Sequence, residues 1–293
     1  KRVIILSDPT VDMGSLAEQE CRRIIESINL AEQLKIPVEW IPVSAGARID
    51  IDSGTENLDW TAAVLKRIID FTQSGGEINI IVDSVNVGAQ SYWNAEATML
   101  MHTSGILIMT EESAMLLTGK KALDYAGSVS AENNVGIGGA DKIMGPNGQA
   151  QFKTKDISSA YQILFKHYEF TYNPSENKIP IQHKTSDSEN RNICLTPYTD
   201  NLNQNFKTIG DILDLKTNPE RKKPFDMRQI MQAVIDTDSG YLERWAFMKD
   251  AETSIVWESR IGGFSSGILG IESKQISRVG EIPNDGPEMW TGG

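Results

Sequence analysis

The sequence has little of what nucleophilic and metal-dependent catalysts usually need. Its three histidines lie in no recognisable triad context, and no G-x-S-x-G elbow occurs. Neither a His-Glu-x-x-His nor an EF-hand pattern is present, and the two cysteines, Cys21 and Cys194, lie far apart in sequence. These absences argue against a triad hydrolase, a metal site and a disulfide framework, and they favour a reducing, cytoplasmic location.

Positive charge and long apolar runs are also scarce. With 28 basic against 40 acidic residues the formal net charge is −12, which would repel nucleic-acid phosphates. The one basic run, at 220–223, is better interpreted as a solvated loop before Pro224 than as a nucleotide-phosphate contact. No segment approaches the roughly 18 to 20 apolar residues of a membrane span. We therefore expect neither a nucleic-acid nor a membrane partner.

What the first part of the chain does contain is an alternation of short β-branched runs with longer segments of helical spacing. This alternation predicts an α/β domain in which crossover helices join parallel strands. One helix is predicted from a capping box of Ser15 and Glu18 to about Leu34, and a second from about Asp59 to Thr72 before the Gly75-Gly76 stop. The predicted strands cover residues 3–7, 37–43, 77–83 and 105–110.

The composition changes between about 171 and 227 to Asn, Ser, Thr, Lys and Pro, which predicts a long connector with little regular structure. After it, residues 224–236 have helical spacing, and two strands are expected to join through the Gly262-Gly263 turn. We therefore predict a first domain at 1–175, a connector at 176–224 and, at 225–293, the beginning of a second domain that is incomplete.

Two glycine turns are the strongest candidates for chemistry. SAGAR at 44–48 follows a predicted strand, and VNVGAQ at 85–90 follows another and opens a helix. Such turns direct backbone N–H groups into a common space, and two turns together can stabilise one oxyanion. GIGGAD at 136–141 is weaker evidence and is more simply structural.

Several longer segments occur in the order found in one family. The chain resembles the carboxyltransferase domains of biotin-dependent acetyl-CoA and acyl-CoA carboxylases, in segments that cover nearly its whole length: IILSDPTVDMGSLAEQE, IPVEWIPVSAGARI, VNVGAQSYW, ESAMLLTG, NVGIGGADKIMGPNGQAQF, PFDMRQIMQAVID, SRIGGFSSGILGIES and GEIPNDGPEMWTGG. The resemblance implies a crotonase-like (ClpP/crotonase) fold of repeated β-β-α units, with a first domain and the start of a similar second one.

The resemblance also implies a reaction. Carboxyl passes from N1-carboxybiotin, held on a carrier protein, to the α-carbon of an acyl-CoA, with acetyl-CoA as the default substrate giving malonyl-CoA. Ala45, Gly46, Gly88 and Ala89 would hold the thioester enolate, and Arg260 would meet a carboxylate, although a surface salt bridge is an equal alternative for it. Arg48 is implied either to bind near the substrate or to fix the SAGAR turn to which it belongs. Gly138 and Gly139 would open a helix facing the cleft.

The implied partners are biotin carboxylase, the biotin carboxyl carrier and a second copy of the chain, in a dimer or higher oligomer. Two departures from the family are visible: the chain is expected to be a fragment, and Ser128 follows Gly127 where eukaryotic-type members have arginine. Ser128 lies outside the residues that the structure describes. Two alternatives stay open, a crotonase-like hydratase, isomerase or decarboxylase without biotin, and a non-catalytic assembly subunit.

Overall fold

The apolar run Ile78–Val82 forms the centre of a parallel sheet, with all five residues buried. In the computed structural model this strand, β3, lies in a five-stranded sheet of order β1-β2-β3-β5-β7, in which every pair is parallel. A sheet covered on both faces needs apolar residues without alternation, and β3 shows this pattern. The four predicted strands are confirmed; the strands of this sheet are β1 (Val3–Leu6), β2 (Val38–Ile41), β3, β5 (Leu107–Thr110) and β7 (Phe152–Thr154).

The structure describes residues 1–52, 54–99, 103–127, 131–171, 180–279, 282 and 284–291. It divides into two compact units, Lys1–Leu164 and Phe165–Gly293, called here the first and the second unit. The predicted domain bounds, 1–175, 176–224 and 225–293, stay a prediction.

Two long helices cover the first unit's sheet. Helix α1 (Glu18–Leu34) buries Cys21, Ile24, Ile28 and Ala31, and helix α2 (Glu56–Gln73) buries Val64, Ile68 and Phe71. The predicted capping box of Ser15 and Glu18 is wrong. The helix begins two residues later than that box requires, after Ala17, and the side chain of Glu20 accepts a hydrogen bond from the Ala17 amide at 3.1 Å. Ser15 is extended and donates its amide to Asp12.

Short elements fill the rest of the first unit. A second, two-stranded parallel sheet pairs β4 with β6. Its strands and the neighbouring helices are β4 (Val85–Val87), α3 (Ala89–Ala97), β6 (Ala114–Leu116), α4 (Lys120–Tyr125), α5 (Asn134–Gly138) and α6 (Ile157–Phe170), with a 3-10 turn at Asp12–Gly14 and a π-helix at Ala140–Met144. The division between the two units falls inside α6.

The second unit is built on an antiparallel sheet of order β10-β9-β8. The predicted helix after the connector is confirmed as α8, and the predicted hairpin as β9 and β10 joined at Gly262-Gly263. Part of the region predicted as connector packs a small core of its own, in which Tyr198, Phe206 and Ile212 are buried. The elements are α7 (Ile209–Leu213), α8 (Met227–Val234), β8 (Leu242–Arg244), β9 (Ser254–Ile261), β10 (Phe264–Ile271), β11 (Gln275–Ser277) and β12 (Met289–Thr291), with 3-10 turns at Ile193–Leu195 and Pro219–Arg221.

Among the described residues, none of the helices combines the length and the apolar character needed to cross a bilayer.

Candidate functional site

The two glycine turns lie side by side in the first unit. Ser44 and Asn86 form a parallel bridge, and the amide of Val87 donates to the carbonyl of Ser44 at 2.9 Å. The buried side chain of Asn86 donates through Nδ2 to the carbonyl of Pro42 at 3.1 Å. A β-carbon built on Gly88 would lie 3.7 Å from the Cα of Gly46. The structure therefore brings the two predicted turns into direct contact.

Glycine is needed in both turns for conformational reasons. Gly46 has φ +98° and Gly88 has φ +60° with ψ −123°. Side chains with a β-carbon rarely adopt these angles. At Gly46 the approach is also close, because a β-carbon there would lie 3.3 Å from the carbonyl oxygen of Val87. Each turn thus depends on its glycine to hold its backbone groups where they are.

The amides of the two turns differ in what they contact. Ala45 N–H donates to Met13 O at 3.1 Å, Gly46 N–H to Ser44 Oγ at 3.0 Å, and Gly88 N–H to Leu116 O at 2.8 Å. Ala89 is the first residue of α3, and the first N–H groups of a helix have no acceptor within that helix. Its N–H lies where the helix dipole also favours negative charge. Ala89 is therefore the amide best placed to hold an oxyanion.

A cavity of about 260 Å³ adjoins this point. One wall is a face of α3 that carries Ser91, Tyr92 and Ala95 in line with Gly88. The other walls are residues 115–117, at the end of β6, and Met144, Asn147 and Gln149. None of these lining residues carries a charge. The cavity can therefore receive an uncharged, largely apolar group beside the Ala89 amide.

Gly138 and Gly139 pack against the strand β6, which forms part of the cavity wall. A β-carbon on Gly138 would lie 2.0 Å from the carbonyl oxygen of Met115, so only glycine fits against β6. Gly139 pairs with Ala114 in an isolated bridge. Gly138 ends α5, and Gly139 precedes the π-helix whose last residue, Met144, lines the cavity. The two glycines therefore fix the start of the segment that carries Met144 to the cavity wall.

Arg48 lies at the outer side of the first turn. Its Nη2 contacts Asp12 Oδ2 at 2.7 Å and its Nε contacts Asp50 Oδ2 at 3.2 Å. The amide of Arg48 also donates to Leu16 O at 2.8 Å. These contacts tie the turn to the segment that precedes α1, which agrees with a role for Arg48 in fixing the turn.

Arg260 belongs to the second unit, on β9. Its guanidinium donates through Nη2 to the backbone carbonyl of Glu169 and lies over the ring of Phe170 at 5.7 Å. Its Nε is buried and, within the described part of the chain, has no hydrogen-bond acceptor. Its backbone carbonyl accepts from the amide of Asp236 at 2.9 Å.

Sequence reasoning missed a cluster of titratable side chains in the second unit, in which His167 is buried and Arg244 and Glu258 are partly buried. Nδ1 of His167 lies 2.9 Å from Oε2 of Glu258, and Arg244 forms an ion pair with the same carboxylate. Burial by itself would raise the pKa of Glu258, but the hydrogen bond and charge of His167 together with Arg244 outweigh it, so this pKa lies below its ordinary value. His167 and Glu258 are 91 residues apart, and no local pattern connects them.

A second missed residue is Asp236, which is buried beneath the hairpin turn. Its two carboxylate oxygens accept from the amides of Gly262 and Gly263 at 2.6 and 2.7 Å. A larger cavity of about 650 Å³ adjoins this turn, lined by residues 182–185 and 187–189 and by Arg191 and Val234, among others. None of the sequence-predicted site residues lines it.

The similarity to known proteins extends over both units. Residues 1–284 match the family model described as the carboxyl transferase domain. The chain is 26% identical over 235 residues to an acetyl-CoA carboxylase of Dictyostelium discoideum, covering 79% of the chain and 9% of that protein. It is 22% identical over 279 residues to a putative propionyl-CoA carboxylase beta chain of Bacillus subtilis (strain 168), covering 94% of the chain and 47% of that protein.

Two crystal structures of transcarboxylase 12S have the same fold, with TM-scores of 0.66 and 0.67 at 22% identity. One of them holds hydrolysed methylmalonyl-coenzyme A, and the other holds methylmalonyl-coenzyme A and methylmalonic acid. In both, transcarboxylase 12S is a hexamer assembly. They cover 92% of the chain and 47% and 46% of their own chains. The chain thus spans less than half the length of each of these four relatives. Because the family model matches nearly the whole sequence, the chain belongs to the carboxyl transferase domain family.

Proposed function

We propose that this chain forms the acyl-CoA site of a biotin-dependent carboxyltransferase, in which an acyl-CoA is carboxylated at its α-carbon. The observation that carries the proposal is the contact between the two glycine turns, which places the N-terminus of α3, where Ala89 is the first residue, next to an uncharged cavity. The relatives named acetyl-CoA and propionyl-CoA carboxylase, and the transcarboxylase that binds methylmalonyl-coenzyme A, support a CoA ester as the substrate.

The role of the turns follows from the charge that develops in this reaction. Removal of an α-proton beside a thioester places negative charge on the thioester oxygen. The Ala89 N–H and the helix dipole of α3 stabilise that charge, while Gly46 and Gly88 keep the second turn packed against the first. Loss of one such donor typically costs about 3 to 4 kcal/mol of barrier. Ala45 and Gly46 complete the site by fixing the turn in which their own amides are engaged.

We assign the binding of carboxybiotin to the second unit. Carboxybiotin, when bound, would supply the carboxyl group and the base, so that a protein nucleophile is not needed. The residue that fits such a group is Arg260, because its buried Nε is left without an acceptor within the described residues and a guanidinium matches a carboxylate. In the absence of that group Arg260 is held by Glu169 and Phe170.

This proposal implies a crotonase-like arrangement of β-β-α units in the first unit and the start of a similar one in the second. It also implies the partners of the reaction: a biotin carboxylase, a biotin carboxyl carrier and further copies of the chain. The hexamer assembly of transcarboxylase 12S supports an oligomer of the dimer class or larger.

The test is a reverse-direction assay on the full-length protein that carries this chain. The protein is incubated with malonyl-CoA or methylmalonyl-CoA, with and without a biotinylated carrier, and release of the decarboxylated thioester is followed. We expect release that depends on biotin. Release at the same rate without biotin would instead indicate a crotonase-like decarboxylase, and no release by a folded oligomer would indicate an assembly subunit; either result contradicts the proposal.

A further inference from the structure

A thioester whose oxygen accepted a hydrogen bond from the Ala89 amide would lie next to the cavity that Gly88 helps to line. It starts at the N-terminus of α3, next to the proposed oxyanion donor, and continues along the helix face that carries Ser91, Tyr92 and Ala95. Residues spaced three and four apart on a helix share a face, so this wall is continuous over two turns of α3. A group that fills the cavity would therefore lie next to the proposed oxyanion donor.

The lining selects for an apolar occupant. The lining is mostly apolar and carries no charge. Its polar side chains are those of Ser91, Tyr92, Asn147 and Gln149. The nucleotide part of coenzyme A is charged and does not fit such a wall. Flexible methionine side chains adapt to occupants of different shape, which suits a chain of methylene groups.

The pantetheine arm of coenzyme A is the competing occupant, since it is uncharged but carries two amides that need polar partners. The Asn147 side chain is engaged in its own loop, because Oδ1 accepts from the amide of Gln149 at 2.9 Å and Nδ2 is directed to the sulfur of Met144 at 3.9 Å. The hydroxyl of Ser91 is engaged too, since it donates to the carbonyl of Asn86 at 2.9 Å. With these two side chains engaged, the cavity suits hydrocarbon better than amides, and the Gln149 side chain is the lining amide that could still bind a polar group.

The cavity is also large for an acetyl group. A single water-sized group needs about 10 to 15 Å³ by the same measure, so the space of about 260 Å³ is far larger than the methyl of an acetyl group requires. Acetyl-CoA, the default substrate on sequence grounds, would leave most of this apolar space without contacts. Each methylene added to the acyl chain would gain burial there.

We propose that the substrate of this site is a CoA thioester with an unbranched acyl chain of four or more carbons, and that Ala95 sets the chain length. This inference rests on the proposed function. Ala95 lies on the α3 face that lines the cavity and has the smallest side chain on it after Gly88. A larger residue at 95 would shorten the space available to the chain.

Equilibrium binding tests this without requiring turnover. Acetyl-CoA, butyryl-CoA, hexanoyl-CoA and free CoA are titrated into the full chain by calorimetry. We expect about fourfold tighter binding per added methylene, so that hexanoyl-CoA binds about 200-fold more tightly than acetyl-CoA. In Ala95→Phe this ratio should fall towards one. Ala62→Phe, the same substitution at an exposed position of α2, should keep the ratio.

The outcomes separate the two proposals. Equal affinity for all thioesters in the unsubstituted chain overturns the chain-length inference and leaves the proposed function intact. An equal loss of CoA and of every thioester in Ala95→Phe shows that the cavity holds the pantetheine arm, which also overturns it. If the folded chain binds neither CoA nor any thioester, the proposed function itself fails. Ala95→Leu serves as a smaller step if the phenylalanine variant does not fold.

Discussion

The two units use different parts of the chain to hold their important groups in place. In the first unit the candidate site is made of backbone: two glycine turns and a helix N-terminus, supported by buried strands. In the second unit the corresponding support comes from charged side chains, with Glu258 holding both His167 and Arg244, and Asp236 holding the Gly262-Gly263 turn.

This difference has consequences for what each unit tolerates. Backbone donors do not titrate, so the first unit's site should depend on glycine conformation and packing and only weakly on pH. A largely buried carboxylate that pairs with Arg244 and contacts His167 stabilises only while it is ionised, and removing it leaves its partners without compensation. The second unit should therefore respond to pH and to the loss of single charges.

The largest expected effect is on the backbone-built site. Gly88→Val places a β-branched side chain at φ +60°, and we expect carboxyl transfer to fall by about 100- to 1000-fold, the usual cost of losing an oxyanion donor. The matched control is Gly119→Val: Gly119 also precedes a helix, but it has φ −67° and open space at its β-carbon. Turnover of both variants is measured alongside circular dichroism. Activity retained in Gly88→Val would place the oxyanion donor elsewhere.

A smaller effect is expected from the charge-built cluster. Glu258→Gln leaves Arg244 and His167 without their carboxylate, and we expect the free energy of unfolding at pH 7 to fall by about 3 kcal/mol. Glu169→Gln, which removes an exposed carboxylate paired with Lys166, should change it by less than about 0.5 kcal/mol. Urea denaturation measures both. Equal effects of the two substitutions would show that the cluster does not stabilise the second unit.

The Glu258→Gln variant also tests how the free energy of unfolding depends on pH. Because the pKa of Glu258 is lowered below its ordinary value of 4.5, its contribution is fully present above that value and is lost as pH falls through the folded-state pKa. The difference between the unsubstituted chain and Glu258→Gln should therefore shrink as the pH falls below 4.5. A difference that grows as the pH falls below that value contradicts this assignment.

The smallest expected effect is a difference in thiol reactivity between the two cysteines. Burial raises the pKa of Cys21 to about 12, whereas Cys194 is exposed. Reaction with a thiol reagent at pH 8 should modify one thiol per chain, at Cys194, until the chain is denatured. Mass spectrometry of the modified peptides identifies the site. Modification of Cys21 in the folded chain would show that α1 opens away from the first unit's core.

The contrast between the units also explains what could be predicted from the sequence. The strands and crossover helices of the first unit were predictable because their buried residues follow fixed periods, and Gly46 and Gly88 were recognisable because a turn after a strand requires glycine. Local patterns did not show which amide stays free, since the acceptors, such as Leu116 for Gly88, come from other segments.

The second unit was less predictable. The helix α8 and the hairpin had local signals, but the cluster joins His167 on α6 to Arg244 and Glu258, which lie 77 and 91 residues later in the sequence. The same holds for Asp236, which reaches the hairpin turn across 26 and 27 residues. Near Ser15 a plausible local motif failed because the amide of Ser15 is used by the preceding turn.

The separation of the Ala89 amide from the side chains at 92, 95 and 144 bears on how such a site can diverge. Substitution at any of these three positions alters the cavity wall but leaves every main-chain N–H group where it was. Descendants of one ancestral gene could thus exchange one acyl preference for another by single replacements while inheriting the reaction unchanged. In a laboratory setting, the same three positions are where a library for new carboxylation substrates should begin.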